Sequence, residues 1–493
     1  MKNEILRRLS ALALGLALLL NAAPLPQAFA VEDDTDASSS DSADSTDTTD
    51  KTVVTTADSD PTVTAAAANA PALDATAALL VSPESDMVLY EKNADEKRYP
   101  ASTTKIMTAL LTLENVSDLS AVVTAEASDF ENVTADSSNA GIKLGEQVTV
   151  KDLLYALMLP SANEAAYMLA RHVSGSWEQF VDMMNERAAA LGCTNTHFVN
   201  ANGLPDPNHY TSAHDMALMY RIAKQAMKDA TFRDIVSTVQ HRMAKTNLHE
   251  ERIILTTNQL IFSSFQPWSY ANCLGIKTGH TSQAGNCFVG YAEYGDAKLF
   301  SVVLGCSSSS KEYPTIAASF TDTKSLCQWG FKNFTSKTLA RQGEEVTYTK
   351  VKLSTDTNQV ILIAKNDLVS LLPKELDVKD LELQSDIPEE VAAPIKAGDT
   401  IGSVTYTYDG RDYGTVELVA LNDISRSTVL FYADKLSSFF QSIVFKVLLL
   451  AAAAFFLLHI FTGLVFGGVR RRRRRRSSRS RYNDSTYQRR HRK

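Results

Sequence analysis

One apolar stretch near the carboxyl end constrains this chain more than any other feature. Residues 447–466 read VLLLAAAAFFLLHIFTGLVF, and a helix of that length measures about 30 Å, enough to cross the hydrocarbon layer of a membrane. Seven arginines, Arg470 to Arg476, follow almost at once, and basic residues stay preferentially on the cytoplasmic side. We therefore predict a transmembrane helix at 447–466, a cytoplasmic tail at 467–493 and an extracytoplasmic location for residues 31 to about 440.

The arginine run has a second interpretation, since such runs also bind nucleic acid. Beside a membrane span, the better interpretation is a stop-transfer signal that contacts lipid phosphates, and we predict no nucleic-acid partner. The segment after Val469 carries thirteen Lys and Arg residues against one acid, Asp484. The formal net charge of -8 therefore conceals a markedly acidic exterior part.

The amino-terminal end predicts the same topology. Basic residues, an apolar run from Ala11 to Leu20 and small residues up to Ala30 indicate a cleavable secretory signal at 1–30. An uncleaved anchor is the alternative, although the apolar run is short for a span. Residues 31–72 are rich in Asp, Ser and Thr and cannot bury enough surface to offset chain entropy, so we expect a disordered acidic linker.

Two folded regions lie between the linker and the span. Apolar runs on both sides of a turn predict a β-hairpin that starts at Ala77, amphipathic helices follow, and strands return at LGIKTGH, NCFVGYAEY and KLFSVVLGC. Strands at both ends of a helical middle indicate an α+β domain at 73–330, in which early and late strands can share one sheet. Short alternating runs and a DG turn predict a small all-β domain at 331–425, and a partly amphipathic juxtamembrane segment occupies 426–446.

The cysteines show neither CxxC spacing nor a cluster with histidine. We interpret each as a small buried apolar residue and predict no disulfide scaffold, no metal and no cofactor. They are Cys193, Cys273, Cys287, Cys306 and Cys327.

The first chemical motif is Ser102-Thr103-Thr104-Lys105. Positions i and i+3 of a helix share a face, so the Lys105 amine can take the proton of the Ser102 hydroxyl and activate it as a nucleophile. The amine must then be neutral part of the time, which needs burial or a neighbouring positive charge, and Lys277 can supply that charge. Alone, such a motif is also compatible with an exposed helix face.

The second motif is Ser161-Ala162-Asn163, between an apolar helix and the helical EAAYMLA. A hydroxyl there can relay a proton to a leaving amine, and an amide offers a donor and an acceptor to a peptide. A plain helix N-cap is the alternative, since Ser and Asn both favour that position.

The third motif is Lys277-Thr278-Gly279 at the end of a short strand, followed by His280. Lys277 and Thr278 can bind a terminal carboxylate beside a strand edge, and Gly279 permits close approach of a ligand. The alternative is a turn after a strand.

These motifs occur in the order helix SxxK, loop SxN and strand KTG, a set that marks penicillin-binding proteins and class A β-lactamases. The wider strings YPASTTKIMTALLTLE, LMLPSANEAAYMLA, NGLPDPNHYTSAHDMALMYRIA and GIKTGHTSQAGNC resemble the low-molecular-weight D-alanyl-D-alanine carboxypeptidases. The string GDTIGSVTYTYDGRDYGTVELVA is similar to the carboxyl-terminal β domain of that family. The resemblance implies a penicillin-binding/serine β-lactamase-like domain, with an antiparallel sheet and a helical subdomain, before the small all-β domain.

The resemblance also implies a role for each residue. Ser102 would attack the penultimate D-alanine of a peptidoglycan stem peptide with Lys105 as base, and Ser161 would pass a proton to the leaving D-alanine. Asn163 would hold the substrate amide, and Lys277 with Thr278 its carboxylate. The amides of Ser102 and His280 would form the oxyanion hole. This chain carries Ala162 where the family frequently has glycine, a small change that should be tolerated.

The implied setting is a bacterial cell membrane, with a single-pass anchor and an extracytoplasmic catalytic domain. Stem peptides are the expected partners, β-lactams the expected acylating inhibitors, and lipid the contact of the span and its Arg-rich tail. Three alternatives remain open: a serine β-lactamase, a peptidoglycan endopeptidase and a catalytically silent binding scaffold. The lactamase needs a carboxylate base beyond Asn163, and residues 191–207 contain no glutamate. The intact motifs oppose the silent scaffold.

Overall fold

A computed structural model describes residues 69–134, 137–219, 230–262 and 266–462. Several predicted segments lie wholly or partly outside these residues: the signal peptide at 1–30, most of the linker at 31–72, the end of the last helical pattern of the α+β domain at 220–227, the end of the span at 463–466 and the tail at 467–493.

A five-stranded antiparallel sheet joins the two ends of the α+β domain. Its order is β2-β1-β9-β8-β7, and Ala77 of β1 pairs with Leu304 of β9, so the early and late strands do share one sheet. Among the described residues only β8 pairs with the last strand in this order, β7, so the other edge of β7 is free. The strands are β1 Ala77–Val81, β2 Val88–Lys92, β7 Cys273–Thr281, β8 Gly285–Tyr294 and β9 Ala297–Cys306.

Helices cover one face of the sheet, because their apolar stripes and the inward residues of the strands form a common core. That core includes Leu79 and Val302 from the sheet with Leu110 and Leu157 from the helices, each exposed by 3% or less. The SxxK helix and the helix after the SxN motif both belong to this group. Its members are α1 Lys105–Asn115, α2 Val150–Met158, α3 Asn163–Ser174, α4 Trp177–Ala190 and α5 Ala230–Ser237, with further helix at 213–219.

Two hairpin-like ladders flank the helices. Strand β3 (Val122–Thr124) pairs with β4 (Gln147–Thr149), and β5 (Gln240–Met243) pairs with β6 (Arg252–Leu255). The buried carboxylate of Glu146 connects them, because it accepts hydrogen bonds from Thr246 at 3.0 Å and Arg252 at 2.8 Å.

The opposite face of the sheet is covered by α7 (Ala318–Asn333), after the short α6 (Gln259–Phe262). Leu326 and Trp329 of α7 pack against Leu80 and Leu299 of the sheet. The helix continues past residue 330 to Asn333, and the next strand begins at Phe334. The predicted domain boundary at 330/331 therefore falls within a continuous helix.

The carboxyl-terminal domain is all β, as its alternating pattern predicts. Six strands form one sheet in the order β14-β16-β17-β12-β11-β15, and β10 pairs with β13 separately. The turn at Asp409-Gly410 joins β16 to β17. The strands are β10 Phe334–Ala340, β11 Glu345–Lys352, β12 Gln359–Ala364, β13 Leu368–Pro373, β14 Glu382–Asp386, β15 Glu390–Ala392, β16 Thr400–Tyr408 and β17 Arg411–Ala420.

Two exposed helices end the described chain. Helix α8 (Thr428–Gln441) is followed by Ser442, where the backbone becomes extended. Helix α9 (Ile443–Thr462) is long and apolar enough to cross a membrane and has no buried residues. It begins four residues before the predicted start at 447, because the Ser442 side chain accepts from the Phe445 amide at 3.1 Å and caps the helix there, and Lys446 lies within the helix.

Four of the five cysteines are buried, and Cys193 is half-buried. All five are free thiols. Burial raises the pKa of Cys273 and Cys287 to about 11, so these thiols stay protonated and behave as small apolar residues.

Candidate active site

Ser102 and Lys105 lie in consecutive turns at the start of the first helix. Residues Ala101–Thr104 form a 3₁₀ turn, and α1 begins at Lys105. Side chains at i and i+3 eclipse one another in a 3₁₀ turn, and the Lys105 Nζ atom accordingly lies 3.0 Å from the Ser102 Oγ atom. Ala101 adopts a φ of 49°, a strained conformation for a residue with a side chain, of the kind that clusters at functional sites.

The Lys105 amine is completely buried and surrounded by oxygen atoms. Besides Ser102, it donates to the Asn163 Oδ1 atom and to the main-chain oxygen of Asn202, each at 2.7 Å. Burial holds the pKa of Lys105 well below its ordinary value, the positive charge of Lys277 lowers it further, and Glu164 opposes them. The lysine can therefore be neutral at a pH where an exposed lysine would be charged.

Ser161 and Asn163 stand on either side of the start of α3. The N-cap residue of this helix is Ala162, and no side chain caps it, so the plain N-cap interpretation of the motif does not describe this structure. Ser161 adopts a φ of 66°. Its hydroxyl oxygen is buried and has no hydrogen-bond partner within the described part of the chain.

Strand β7 carries the third motif beside the serine. Lys277 is exposed by only 1%, and burial lowers its pKa to about 7. The neighbouring Thr278 lines the cavity described below, and its hydroxyl oxygen lies 2.6 Å from that of Thr257. Successive residues of a strand face opposite sides, which explains why Lys277 is buried where Thr278 is accessible.

Gly279 brings β7 against the nucleophile segment. A Cβ atom at this position would lie 3.0 Å from the main-chain oxygen of Pro100 and 3.1 Å from the amide nitrogen of Ser102. The glycine is therefore needed for the approach of the chain's own backbone. His280, the next residue, is exposed at the rim.

A loop that the three motifs do not include completes the site. Asn200 holds a tight turn, since its side chain accepts from the Gly203 amide at 2.7 Å and donates to the main-chain oxygen of Leu204 at 2.9 Å. The turn presents the Asn202 carbonyl group to Lys105. A main-chain oxygen leaves no side-chain signature, so the only sequence signal was the NGL string itself.

These residues surround a cavity of about 750 Å³. Ser102, Ser161 and Asn163 line it together with Thr278 and His280. On the far side of β7 the lining continues to Trp268, Ile316 and Phe320. A serine, a desolvated lysine and a neighbouring free strand edge make this cavity suitable for acyl transfer from an extended peptide.

The fold and the site define a penicillin-binding serine hydrolase. Proteins of that class combine an α+β domain and a helical subdomain with a Ser-Lys pair and an adjacent KTG strand. This structure has each of these features. An all-β domain follows the α+β domain, as the sequence resemblance to the carboxypeptidases implies.

Comparisons with known proteins give the family. Residues 64–308 match the family described as D-alanyl-D-alanine carboxypeptidase, and residues 334–426 match the penicillin-binding protein 5 C-terminal domain. The chain is 30% identical over 356 residues to D-alanyl-D-alanine carboxypeptidase DacF of Bacillus subtilis, which covers 72% of this chain and 87% of the relative. It is 31% identical over 375 residues to DacA of Haemophilus influenzae, with 73% and 87% covered.

A solved structure agrees with both matches. Penicillin binding protein 5 from Haemophilus influenzae superposes with a TM-score of 0.61 at 31% identity, over 72% of this chain and 99% of that one. The chain belongs to the D-alanyl-D-alanine carboxypeptidase family. It is a serine-type hydrolase of peptidoglycan metabolism, and the family resemblance seen in the motifs is confirmed.

Proposed function

We propose that Ser102 is the nucleophile of this carboxypeptidase and Lys105 its general base. The distance of 3.0 Å between the Lys105 Nζ and Ser102 Oγ atoms carries the proposal. In the reactive state the neutral amine accepts the hydroxyl proton as the serine oxygen attacks the carbonyl carbon of the penultimate D-alanine.

The charge that develops on the substrate oxygen needs donors already in place. The amides of Ser102 and His280 are the proposed pair, and the close packing of Gly279 on Ser102 supports it. Preorganised donors of this kind usually supply a large part of the rate.

Ser161 is the proposed proton relay to the departing D-alanine amine. Its buried hydroxyl has no hydrogen-bond partner among the described residues. It can therefore accept a proton from Lys105 and donate one to the substrate amine. After D-alanine leaves, water attacks the Ser102 ester and regenerates the enzyme, with Lys105 again as base.

The stem peptide is proposed to bind along the free edge of β7. Asn163 uses its Oδ1 atom for Lys105, so its amide nitrogen is the group that can donate to a substrate carbonyl. The Thr278 hydroxyl lies in the cavity wall and can contact the terminal carboxylate, while Lys277 supplies positive charge beside it when it is protonated. Gly279 positions the strand against Ser102 and permits close approach of the ligand.

β-Lactams are proposed to acylate the same serine, because their strained amide and carboxylate present the same groups to the site. The test is the intact mass of the full chain in detergent, with and without benzylpenicillin, for wild type and Ser102→Ala. We expect an adduct on wild type only. Equal labelling of both proteins, or none of either with folded material, would refute the role of Ser102.

The same samples separate the alternative activities. Release of D-alanine from a peptide ending in D-Ala-D-Ala is expected, with a penicillin adduct that persists after free drug is removed. Rapid loss of the adduct with drug turnover would indicate a β-lactamase. Cleavage of cross-linked dimers in preference to pentapeptides would indicate an endopeptidase.

Helix α9 is proposed to anchor the enzyme in the bacterial cell membrane, with residues 31–440 outside and the Arg-rich tail at 467–493 inside. The length of the helix and the arginines that follow support this topology. Protease added to intact spheroplasts should digest the catalytic domain and spare a tag at residue 493. Protection of the catalytic domain would reverse the topology.

A further inference from the structure

Glu164 has a buried carboxylate beside the active site and belongs to none of the three motifs. It is the second residue of α3, directly after Asn163, and is exposed by only 2%. Its Oε1 atom accepts a hydrogen bond from the amide of Ala140 at 2.7 Å and lies 3.5 Å from the amide of Ile142. The other carboxylate oxygen, Oε2, is buried without a hydrogen-bond partner among the described residues, so the contacts of Oε1 are the ones that hold this side chain in place.

The Ala140 and Ile142 amides belong to a segment that forms part of the cavity wall. Ser137 and Ser138 line the cavity. The main-chain oxygen of Ser138 accepts from the Asn163 amide at 2.9 Å. Two hydrogen bonds therefore join the wall segment at 137–142 to the first turn of α3. In one the Asn163 amide donates to the wall, and in the other the Ala140 amide of the wall donates to Glu164.

We propose that Glu164 is a positioning residue, whose carboxylate fixes the wall segment at 137–142 against the turn that carries Asn163. Glu164 does not touch the reacting atoms. It acts through Asn163, whose Oδ1 atom holds the Lys105 amine, and through the serines of the wall.

The physical reason is that the Glu164 Oε1 atom is the acceptor of the Ala140 amide, at 2.7 Å. If the Glu164 oxygen is withdrawn, the half-buried Ala140 amide loses this acceptor, and the wall segment shifts until the amide reaches water. Displacement of a substrate-positioning group by about 1 Å can lower a catalytic rate by roughly a hundredfold.

A competing role for Glu164 is purely electrostatic. Its charge raises the pKa of Lys105, while burial and Lys277 lower it. The two roles separate in a pair of substitutions, since Glu164→Gln keeps the reach of an acceptor oxygen and loses the charge, whereas Glu164→Asp keeps the charge and is one methylene too short.

The experiment measures the second-order rate constant of acylation by a fluorescent penicillin, using the full chain in detergent. That rate constant does not depend on the fraction of correctly folded protein, so a loss of stability alone would leave it unchanged. We expect Glu164→Asp to lower it about tenfold or more and Glu164→Gln to retain it within about threefold. Glu178→Asp is the matched control, because Glu178 is exposed at the same position of the next helix.

Hydrogen exchange provides a second measurement that does not depend on catalysis. The peptide covering 137–142 should exchange faster in Glu164→Asp than in wild type, Glu164→Gln or Glu178→Asp. This readout still decides the matter if the Asp variant is too unstable for kinetics.

Three results would overturn the proposal: a Gln variant as impaired as the Asp variant, an Asp variant with the wild-type rate, or unchanged exchange of the wall segment. The proposal rests on the proposed roles of Ser102, Lys105 and Asn163. If those roles are wrong, the wild-type protein forms no penicillin adduct at Ser102. That outcome differs from every outcome that concerns Glu164 alone.

Discussion

The Lys105 Nζ atom lies 2.7 Å from the main-chain oxygen of Asn202. A carbonyl oxygen favours the protonated amine, whereas complete burial and the nearby charge of Lys277 favour the neutral one. Burial and the charge of Lys277 outweigh the carbonyl oxygen, since the pKa of Lys105 is held well below that of an ordinary lysine. This balance leads to a prediction for the pH dependence of acylation.

Acylation of Ser102 should be fast only when Lys105 is neutral. The second-order rate constant for penicillin should therefore rise with pH through the pKa of Lys105 in the free enzyme, and it should fall again as Lys277, whose pKa is about 7, loses the charge that binds the ligand carboxylate. We expect the rise to be complete well below 10.5, the ordinary lysine value. Stopped-flow acylation from pH 5 to 10 measures it, and a rise centred near 10.5 would contradict a desolvated base.

Ser161→Ala should separate activity from stability. The hydroxyl makes no hydrogen bond to another described residue, so its removal should leave the unfolding temperature within about 2 °C of wild type. Loss of the proton relay should lower the kcat for D-alanine release by about a hundredfold. Differential scanning fluorimetry and a D-alanine assay test both parts. A large drop in stability with unchanged specific activity would assign Ser161 a structural role instead.

Gly203→Ala should be far more damaging than Gly192→Ala. Both glycines have left-handed backbones, with φ of 87° and 85°. A Cβ atom at Gly203 would lie 1.9 Å from the main-chain oxygen of Ala101, whereas nothing lies within 4 Å of one at Gly192.

The control substitution should lose about 1 to 2 kcal/mol from backbone strain alone. Gly203→Ala should lose more free energy of unfolding and should also slow acylation, because the clash moves the residue before the nucleophile. Urea unfolding and penicillin acylation measure the two effects. Equal losses at the two sites would show that the contact with Ala101 is unimportant.

The buried Lys277 should make stability depend on pH in a definite direction. Its pKa falls from an ordinary 10.5 to about 7 in the folded protein, through burial. Between these values the unfolded chain binds more protons than the folded one, so stability should rise with pH. Below pH 7 both states are protonated and the cost of burying the charge is constant.

Lys277→Met removes this dependence. The variant should therefore gain most stability relative to wild type at pH 6, and the gain should shrink toward pH 9.5. Urea unfolding at several pH values in the same detergent measures the difference. A gain that grows with pH would mean that the ammonium of Lys277 is stabilised, not penalised, in the fold.

Local patterns predicted the individual elements of the active site well. The amphipathic pattern after the hairpin predicted the helix at Ser102, and the i, i+3 spacing was enough to expect contact between Ser102 and Lys105. The strand at Lys277-Thr278-Gly279 was equally clear. In each case the signal lies within a few residues, where covalent geometry limits the alternatives.

Features that join distant parts of the chain were harder to predict. Strands β10 and β13 have no clean alternation of polar and apolar residues, so the sequence did not predict them. They are stabilised as strands by pairing with each other. Glu164 looked like an ordinary acid in the first turn of a helix, since nothing near it in sequence indicates that the amide of Ala140 is its partner. The close packing of Gly279 on Pro100 was not predicted either, and its expected contact with a ligand stays a prediction.

The sequence by itself determined the periodicity of each element, the apolar length near the carboxyl end and the three motifs, because these depend on residues close together in the chain. Only the tertiary structure decided which of the chain's many polar groups share one buried volume. It placed the Asn202 carbonyl and the Lys277 charge near Lys105. Burial then changes their chemistry, since the pKa of an amine depends on the solvent and charges around it and not on its neighbours in sequence.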